Sequence, residues 1–349
     1  MIGKTIKPFT ENDLPGITKS PGAQYILVNT TETIAEYNAG YADIITKAPV
    51  TAATTFNNFS VTKTATAAAI MQLAEKKEIL LTDCVNPLFN EFHFKYPFTI
   101  QQLVSHQAGF ADPVPISWIH LPEEDINFDE NNFIRQIVDK HSKQKFEPGT
   151  TFNYSSIGYL LLSRIIEKIS GETYADYISK NILFPVKGNG SLDFKINDPG
   201  LQATGYHPRY SFTNLLLSFF LDRKKFIRYN HGSWTAFKNF YVNGKAYGGF
   251  IGNGRGLCAY LQSYLSNKIF NNPETAEQMF TEQKGGMSSG WFTGTLNGEK
   301  YVCHAGGGGG YYCEIRIYPR LNMASALLRN RSSFGDLRLL DKIDPGFIF

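Results

Sequence analysis

The order of hydrophobic and polar positions along the chain predicts strands near both ends and helices between them. Alternating segments at 25–28 and 33–37 flank a polar Asn-Thr-Thr turn, which predicts a hairpin over residues 23–39. Toward the other end, alternation predicts strands at 291–296, 299–304, 311–318 and 323–329, the first two of them joined by Asn297-Gly298. We expect these terminal strands to join in one antiparallel sheet.

The middle of the chain has mostly helical periodicity. An alanine-rich run at 64–77 contains neither Gly nor Pro and predicts a helix directly behind Ser60. Further helices are predicted at 99–106, with Gly109 as the C-cap, and from Ser155 through 166. The predicted fold class is α/β, in which an antiparallel sheet is flanked by helices and a mostly helical lobe is added.

These elements suggest a division of the chain into two lobes of one catalytic unit. Residues 1–58 and 195–349 form the predicted α/β lobe with the antiparallel sheet, and residues 59–194 form the mostly helical lobe. The active site is expected between the two lobes.

Composition narrows the classes of function. The chain has 349 residues, of which 42% are hydrophobic, so it can bury a large core. The near balance of 34 Lys and Arg against 31 Asp and Glu gives no basic stripe, so no nucleic-acid partner is expected. The longest apolar run, at 215–221, is too short for a membrane span of roughly 18 residues. Its basic tail is compatible with an interfacial helix. The pattern favours instead a buried helix, or a helix that covers a pocket as a lid.

The cysteine pattern and the N-terminus carry three further expectations. The four cysteines form no C-x-x-C pair and the chain has no H-E-x-x-H, so neither a metal nor a cofactor is expected. Cys303 and Cys313 flank a glycine run, and we expect two free thiols there rather than a disulfide. The N-terminal residues lack an apolar signal core, which favours a cytoplasmic protein, or a periplasmic or secreted one whose signal was removed.

Ser60-Val61-Thr62-Lys63 is the strongest candidate for chemistry. On a helix, positions i and i+3 share a face, so the Lys63 amine can reach the Ser60 hydroxyl. A desolvated lysine can take the proton of a serine and make it a nucleophile. The alternative is an ordinary N-cap serine beside an exposed lysine. A second S-x-x-K, from Ser142 to Lys145, lies in a basic polar stretch and is predicted to be solvent-exposed.

A nucleophile also needs a proton partner and a site for the oxyanion. Tyr154 follows the turn at Pro148-Gly149, and near a lysine ammonium its phenol would ionise more easily; the alternative is a tyrosine that braces a helix start. His304 leads into five glycines from 306 to 310. Glycines let a substrate lie against bare backbone whose N–H groups can hold an oxyanion, whereas the alternative is a flexible surface loop.

These three segments together resemble the serine β-lactamase and penicillin-binding protein superfamily, especially its class C-like branch of esterases and D-amino-acid peptidases. The family carries S-x-x-K, then Y-x-N or Y-x-S, then K-T-G or H-x-G. Here the same order is Ser60 to Lys63, Tyr154 to Ser156, and His304 to Gly306. The segments at 103–109, 148–150 and 247–252 also look like the family, so the resemblance covers nearly the whole chain.

The resemblance implies a serine hydrolase that forms an acyl-enzyme. Ser60 would attack the carbonyl, and Lys63 and Tyr154 would share the role of base, with the division between them open. The backbone N–H groups of Ser60 and Gly307 would form the oxyanion hole. His304 would hold the substrate or tune Tyr154.

Two departures from the β-lactamase pattern affect the expected substrate. Ser156 stands where β-lactamases usually carry asparagine, and His304 stands where they carry a lysine that binds the carboxylate. Both favour esters, or amides without an anionic anchor, and a carboxylesterase is the first expectation. A D-amino-acid peptidase or a weak β-lactamase with the same site is the alternative.

Two rival hypotheses are compatible with other sequence features. Residues 286–290 match the G-x-S-x-G nucleophile elbow around Ser288, but that elbow needs a helix after the serine, and a strand pattern follows here. The other rival is a non-catalytic relative that serves as a binding or scaffold module.

Overall fold

The computed structural model describes residues 20–113, 115–184, 190–332 and 338–349. The N-terminal residues on which the expectation about a signal segment depended lie outside these ranges. In the described part the helices are α1 (Thr62–Glu75), α2 (Ile100–Val104), α3 (Glu130–His141), α4 (Ser156–Ser170), α5 (Tyr174–Ile178), α6 (Phe212–Phe220), α7 (Arg223–Phe226), α8 (Lys245–Gly248), α9 (Gly254–Leu265), α10 (Pro273–Phe280), α11 (Leu340–Ile343) and α12 (Pro345–Ile348). The strands are β1 (Gly22–Asn29), β2 (Thr33–Asp43), β3 (Ala48–Pro49), β4 (Phe56–Phe59), β5 (Ile119–His120), β6 (Leu192–Asp193), β7 (Tyr206–Pro208), β8 (Ile227–His231), β9 (Trp234–Phe237), β10 (Tyr241–Val242), β11 (Phe250–Gly252), β12 (Phe292–Leu296), β13 (Glu299–Gly308), β14 (Tyr311–Tyr318) and β15 (Met323–Arg329).

A seven-stranded sheet joins the two ends of the described chain in the order β12-β13-β14-β15-β1-β2-β3. Strand β1 pairs antiparallel with both β15 and β2, so Ala23 lies opposite Arg329 on one side and Ala39 on the other. The prediction that the terminal strands form one antiparallel sheet is therefore confirmed, and so is the α/β fold class.

Helices cover both faces of this sheet, because β1 is apolar on both faces. Ile26 and Val28 belong to the main core, which also contains Leu257 and Leu261 of α9. The alternate residues Tyr25 and Leu27 pack in a second core, which also contains residues of α11. Successive side chains of a strand point to opposite faces, so one strand contributes to both cores.

Helix α1 lies at the centre of the helical region and is buried on all sides. Its alanines at 65, 67, 68 and 69 are fully buried, and the helix packs against α4, α5, α8 and α10. A helix without a polar face requires such surroundings. The lobe boundaries near residues 58 and 195 stay a prediction.

The predicted C-cap at Gly109 is wrong. Helix α2 ends at Val104, with Ser105 as its C-cap, and the left-handed residue that follows is His106 with φ of 57°. Gly109 has a different reason to be glycine. A Cβ there would lie 2.3 Å from the carbonyl oxygen of Phe146, and φ is 88°.

The glycine run is largely part of the sheet rather than a surface loop. The predicted strand ended at residue 304, but β13 continues to Gly308 because β14 pairs with it along the glycines, with Gly306 opposite Cys313 and Gly308 opposite Tyr311. Cys303 and Cys313 are free thiols, as expected. They belong to different cores, on opposite faces of the sheet.

The apolar run at 215–221 forms most of helix α6, and of the two expectations a buried helix is wrong, whereas a helix that covers a pocket agrees with the structure. Phe219 is 74% exposed, whereas Leu217 and Leu221 line a cleft, so the segment has one solvent face and one pocket face. Among the described residues, no helix has both the length and the apolar character needed to cross a bilayer.

Candidate active site

Ser60 lies at the junction between strand β4 and helix α1. Phe59, the last residue of β4, is left-handed with φ of 47° and turns the chain sharply before the serine. The Thr62 hydroxyl donates to the Phe59 carbonyl at 2.6 Å, and the Lys63 N–H donates to the Ser60 carbonyl at 2.9 Å. The turn leaves Ser60 half-buried at the N-terminus of α1, where the helix dipole favours negative charge.

Lys63 lies fully buried beneath Ser60. Its Nζ donates to the Ser60 Oγ at 3.1 Å and to the Tyr247 carbonyl at 2.8 Å. Burial lowers the pKa of Lys63 to about 7, although the Asp112 carboxylate nearby acts in the opposite direction. A large share of the amine is therefore neutral near pH 7 and can accept a proton from Ser60.

Tyr154 lies next to this pair, but the environment does not favour its ionised form. The Lys63 Nζ is 4.9 Å from the centre of the Tyr154 ring. Burial raises the pKa of Tyr154 well above its ordinary value, and the lowering effect of its contact with Ser60 is smaller. The expectation that a nearby ammonium makes this phenol ionise more easily is wrong, because burial outweighs it. Tyr154 is thus neutral near pH 7 and lies in hydrogen-bond contact with Ser60.

His106 holds Tyr154 in position. Its ring lies 4.4 Å from that of Tyr154, and its Nδ1 accepts the backbone N–H of Ser155 at 3.1 Å. Burial, together with Lys63 and His304, lowers the pKa of His106 well below its ordinary value, so the ring is neutral. The sequence placed His106 only in a segment that looks like the family, with no role assigned.

The backbone of β13 passes directly against Ser60. A Cβ on Gly306 would lie 2.7 Å from the Ser60 backbone nitrogen and 2.2 Å from the Asn58 carbonyl oxygen. Gly307 lines the cleft that contains Ser60, and a Cβ there would make only ordinary contacts. Glycine at 306 therefore allows strand and nucleophile to approach closely.

His304 is buried and neutral, unlike the lysine that it replaces. It is 1% exposed, and its Nδ1 donates to the Ala305 carbonyl at 2.9 Å. Burial and the Lys63 charge lower the pKa of His304 to about 3. Its ring centre is 6.3 Å from that of Tyr154, and it is not among the described residues that line the cleft. The geometry of the described residues thus favours a His304 that packs near Tyr154 over a His304 that contacts the substrate.

The cleft above Ser60 has a volume of about 250 Å³ and mostly apolar walls. Besides Ser60, Tyr154 and Gly307, it is lined by the apolar side chains of Ile116, Ile119, Leu217, Leu221, Phe237, Phe240 and Val242. Ser156 and the Asp112 carboxylate also line it, and Asp112 Oδ1 accepts the Ser156 backbone N–H at 3.2 Å. No local sequence pattern pointed to Asp112, because its place depends on how its loop folds back on α4.

The competing serines lie in other surroundings. Ser142 is the C-cap of α3, and Lys143 and Lys145 are exposed, so the predicted surface position of the second S-x-x-K is confirmed. Ser288 is buried, donates to the Trp291 carbonyl at 3.0 Å and is followed by strand β12 rather than a helix. In the described part of the chain no group of His, Cys, Asp and Glu side chains is placed to hold a metal.

Known proteins similar to this chain include a penicillin-binding protein and a D-aminopeptidase. Penicillin-binding protein 4* of Bacillus subtilis is 30% identical over 153 residues, which cover 44% of this chain and 34% of that protein. The D-aminopeptidase of Brucella anthropi is 27% identical over 203 residues, covering 55% of this chain and 36% of that protein. The chain thus spans about a third of the length of these curated relatives.

Structural similarity extends further along the chain. The octameric penicillin-binding protein homologue from Pyrococcus abyssi matches with a TM-score of 0.70 and 27% identity over 90% of this chain and 71% of that one. The β-lactamase family model matches residues 7–343. The chain therefore belongs to the β-lactamase family.

Proposed function

We propose that the protein is a serine hydrolase that transfers the acyl group of an ester first to Ser60 and then to water. The observation that carries the proposal is the 3.1 Å contact between the Ser60 hydroxyl and a fully buried lysine whose pKa is about 7. A structural N-cap serine does not need a buried amine beside it, and burying an amine costs free energy.

The proposed reaction uses Lys63 as the proton carrier. The Ser60 Oγ attacks the carbonyl carbon while its proton passes to neutral Lys63, and the C–O bond to the leaving alcohol then breaks as that oxygen takes a proton from Lys63. Water next attacks the acyl carbon while losing a proton to Lys63, and the bond from that carbon to Ser60 Oγ then breaks as this oxygen takes the proton back from Lys63. The backbone N–H groups of Ser60 and Gly307 stabilise the oxyanion in both steps. Tyr154, with a neutral phenol, lies in hydrogen-bond contact with Ser60 and so positions its hydroxyl.

The walls of the cleft favour an uncharged acyl group. Among the described residues that line it there is no Lys or Arg, and Asp112 contributes a negative charge. His304 is neutral and buried, so it provides no cationic partner for the carboxylate of a β-lactam. We therefore propose short-chain esters as better substrates than cephalosporins.

Amino-acid amides are the second candidate, and Asp112 is the observation that favours them. A carboxylate in the wall of the cleft can pair with the free ammonium of such a substrate. The similarity to a D-aminopeptidase is compatible with this alternative.

Rates on three substrates test the proposal. We expect p-nitrophenyl butyrate to be hydrolysed faster than nitrocefin, with D-phenylalanine p-nitroanilide as the amide probe. Ser60→Ala and Lys63→Ala should each lose at least about a hundredfold in rate. The matched controls are Ser142→Ala and Lys145→Ala in the second S-x-x-K, which should keep the wild-type rate. A higher rate on nitrocefin would overturn the ester preference, and no turnover of any substrate would favour a non-catalytic module.

A further inference from the structure

Helix α6 has an unusual outer surface for a globular protein. Phe212 is 73% exposed, Phe219 is 74% exposed and Phe220 is 61% exposed, and neighbouring Tyr210 is 80% exposed. Positions 212 and 219 are seven residues apart and therefore lie on one side of the helix. Exposed aromatic side chains grouped in this way mark an interaction surface.

The inner side of the same helix forms part of the candidate active site. Leu217 and Leu221 line the cleft that contains Ser60, together with Phe237 and Phe240. The exposed aromatic surface is therefore separated from the cleft only by the thickness of one helix. Anything that binds the outer side of α6 lies at the mouth of the cleft.

The charge around α6 is strongly one-sided. Residues 209–231 contain five Lys and Arg and one Asp, whereas the rest of the chain has 29 Lys and Arg against 30 Asp and Glu. Arg209 and Lys224 are exposed, and the Arg223 guanidinium donates to Asn214 Oδ1 of α6 at 3.1 Å. Lys225 pairs with Glu124 at 2.6 Å and Arg228 pairs with Asp43 at 3.0 Å, which offsets two of the five charges. The aromatic surface thus has a basic margin.

We propose that this surface, defined by Tyr210, Phe212, Phe219 and Phe220 with the basic margin of Arg209 and Lys224, docks on an anionic lipid bilayer. Exposed aromatic side chains enter the interface between headgroups and acyl chains, and Lys and Arg contact anionic headgroups. A second copy of this chain is a poorer occupant. A two-fold contact would bring the two basic margins together, and like charges repel.

Sedimentation with lipid vesicles tests the proposal. The Ser60→Ala protein is used throughout, so that binding does not depend on the proposed catalysis. We expect it to bind vesicles of phosphatidylcholine and phosphatidylserine in equal parts, and to bind pure phosphatidylcholine at least about tenfold more weakly. High salt should weaken binding to the anionic vesicles.

Two variants separate the aromatic and the basic contributions. Phe212→Ser combined with Phe219→Ser should lower binding to the mixed vesicles by at least about tenfold. Lys224→Glu should lower binding to the anionic vesicles by about tenfold and leave binding to pure phosphatidylcholine unchanged. All these side chains are exposed, so thermal unfolding should stay close to that of the parent.

The controls change similar residues far from α6. Leu80→Ser removes an apolar side chain that is 60% exposed and follows the C-terminal end of α1, whereas Ser60 precedes the N-terminal end. Lys143→Glu reverses an exposed charge in the helical region. Both should bind vesicles like the parent. Absence of binding to anionic vesicles, or equal loss in the controls, would overturn the proposal. So would a concentration-dependent dimer that the double Phe variant abolishes, since that result would assign the surface to a second copy.

Discussion

At the scale of single residues, the surroundings of Lys63 decide which group acts as base. Burial lowers the pKa of Lys63 to about 7 and raises that of Tyr154 well above its ordinary value. Both shifts have the same cause, because burial disfavours the charged form of each group. Near pH 7 a large share of the Lys63 amine is neutral and the Tyr154 phenol is un-ionised, and of these two neutral groups the amine is the better base.

The pH dependence of kcat/KM on p-nitrophenyl butyrate follows from this assignment. Protonated Lys63 cannot accept the Ser60 proton, so the rate should rise as pH increases through about 7 and then level off. A phenolate at Tyr154 beside a charged Lys63 holds the same number of protons as the neutral pair and gives the same profile, so the rising limb reports the titration of Lys63. A profile that falls between pH 7 and 9 would contradict the assignment to Lys63.

Asp112→Asn tests whether the Asp112 charge acts on the pKa of Lys63. The Asp112 charge raises the pKa of Lys63, so its removal should move the rising limb of the pH profile to lower pH. Asparagine keeps an acceptor for the Ser156 N–H, which limits structural damage. For D-phenylalanine p-nitroanilide we expect kcat/KM to fall about tenfold, the scale of one charged contact, with a smaller change on the neutral ester. A rising limb at the same pH as in the wild type would show that Asp112 does not act on Lys63.

At the scale of elements, the contact between β13 and the β4–α1 junction positions the nucleophile. Gly306 is the point of closest approach, where an added Cβ meets the Ser60 nitrogen and the Asn58 carbonyl. The strand is fixed from behind by pairing with β14, so the nucleophile would have to move instead. Small displacements of reacting groups have large effects on rate.

Gly306→Ala should therefore lower kcat on p-nitrophenyl butyrate by about a hundredfold, because the new methyl group displaces Ser60. Gly346→Ala is the control, since a Cβ at 346 meets nothing within 4 Å. Circular dichroism should show both variants folded. A Gly306→Ala enzyme with the wild-type rate would show that this close approach does not position Ser60.

Several elements were predictable from the sequence because their signals are local. Strands 311–318 and 323–329 match β14 and β15, and Asn297-Gly298 joins β12 to β13 as predicted. The continuation of β13 through glycines depends on its partner strand, which no local pattern contains. The exposed side of α6 and the Asp112 carboxylate in the cleft likewise depend on tertiary packing, so the sequence did not predict them.

At the scale of the whole molecule, the C-terminal helices hold the sheet together from the side away from α9. The Asp344 carboxylate, just after α11, accepts hydrogen bonds from Tyr25 of β1, Tyr318 of β14 and Ser325 of β15. Buried Arg316 lies beside it at 3.9 Å. This carboxylate connects strands from both ends of the described chain, so its loss should affect the stability of the whole fold.

We expect Asp344→Ala to lower the free energy of unfolding by about 3–5 kcal/mol, because it leaves buried donors without their acceptor. Asp341→Ala is the matched control. Asp341 also pairs with Arg316, at 2.8 Å, but it is 37% exposed, and its loss should cost only about 1 kcal/mol or less. Urea denaturation followed by fluorescence measures both. Equal effects of the two substitutions would contradict the role given to Asp344.

The most direct test of the central claim is to map a covalent adduct after treatment with a fluorophosphonate, using mass spectrometry of the intact protein and its peptides. Ser60 as the nucleophile predicts one adduct, on the peptide that contains Ser60, that is absent in Ser60→Ala and forms at the wild-type rate in Ser142→Ala. Lys63→Ala should form it at least about a hundredfold more slowly. An adduct that persists in Ser60→Ala, or that maps to Ser288, would contradict the account.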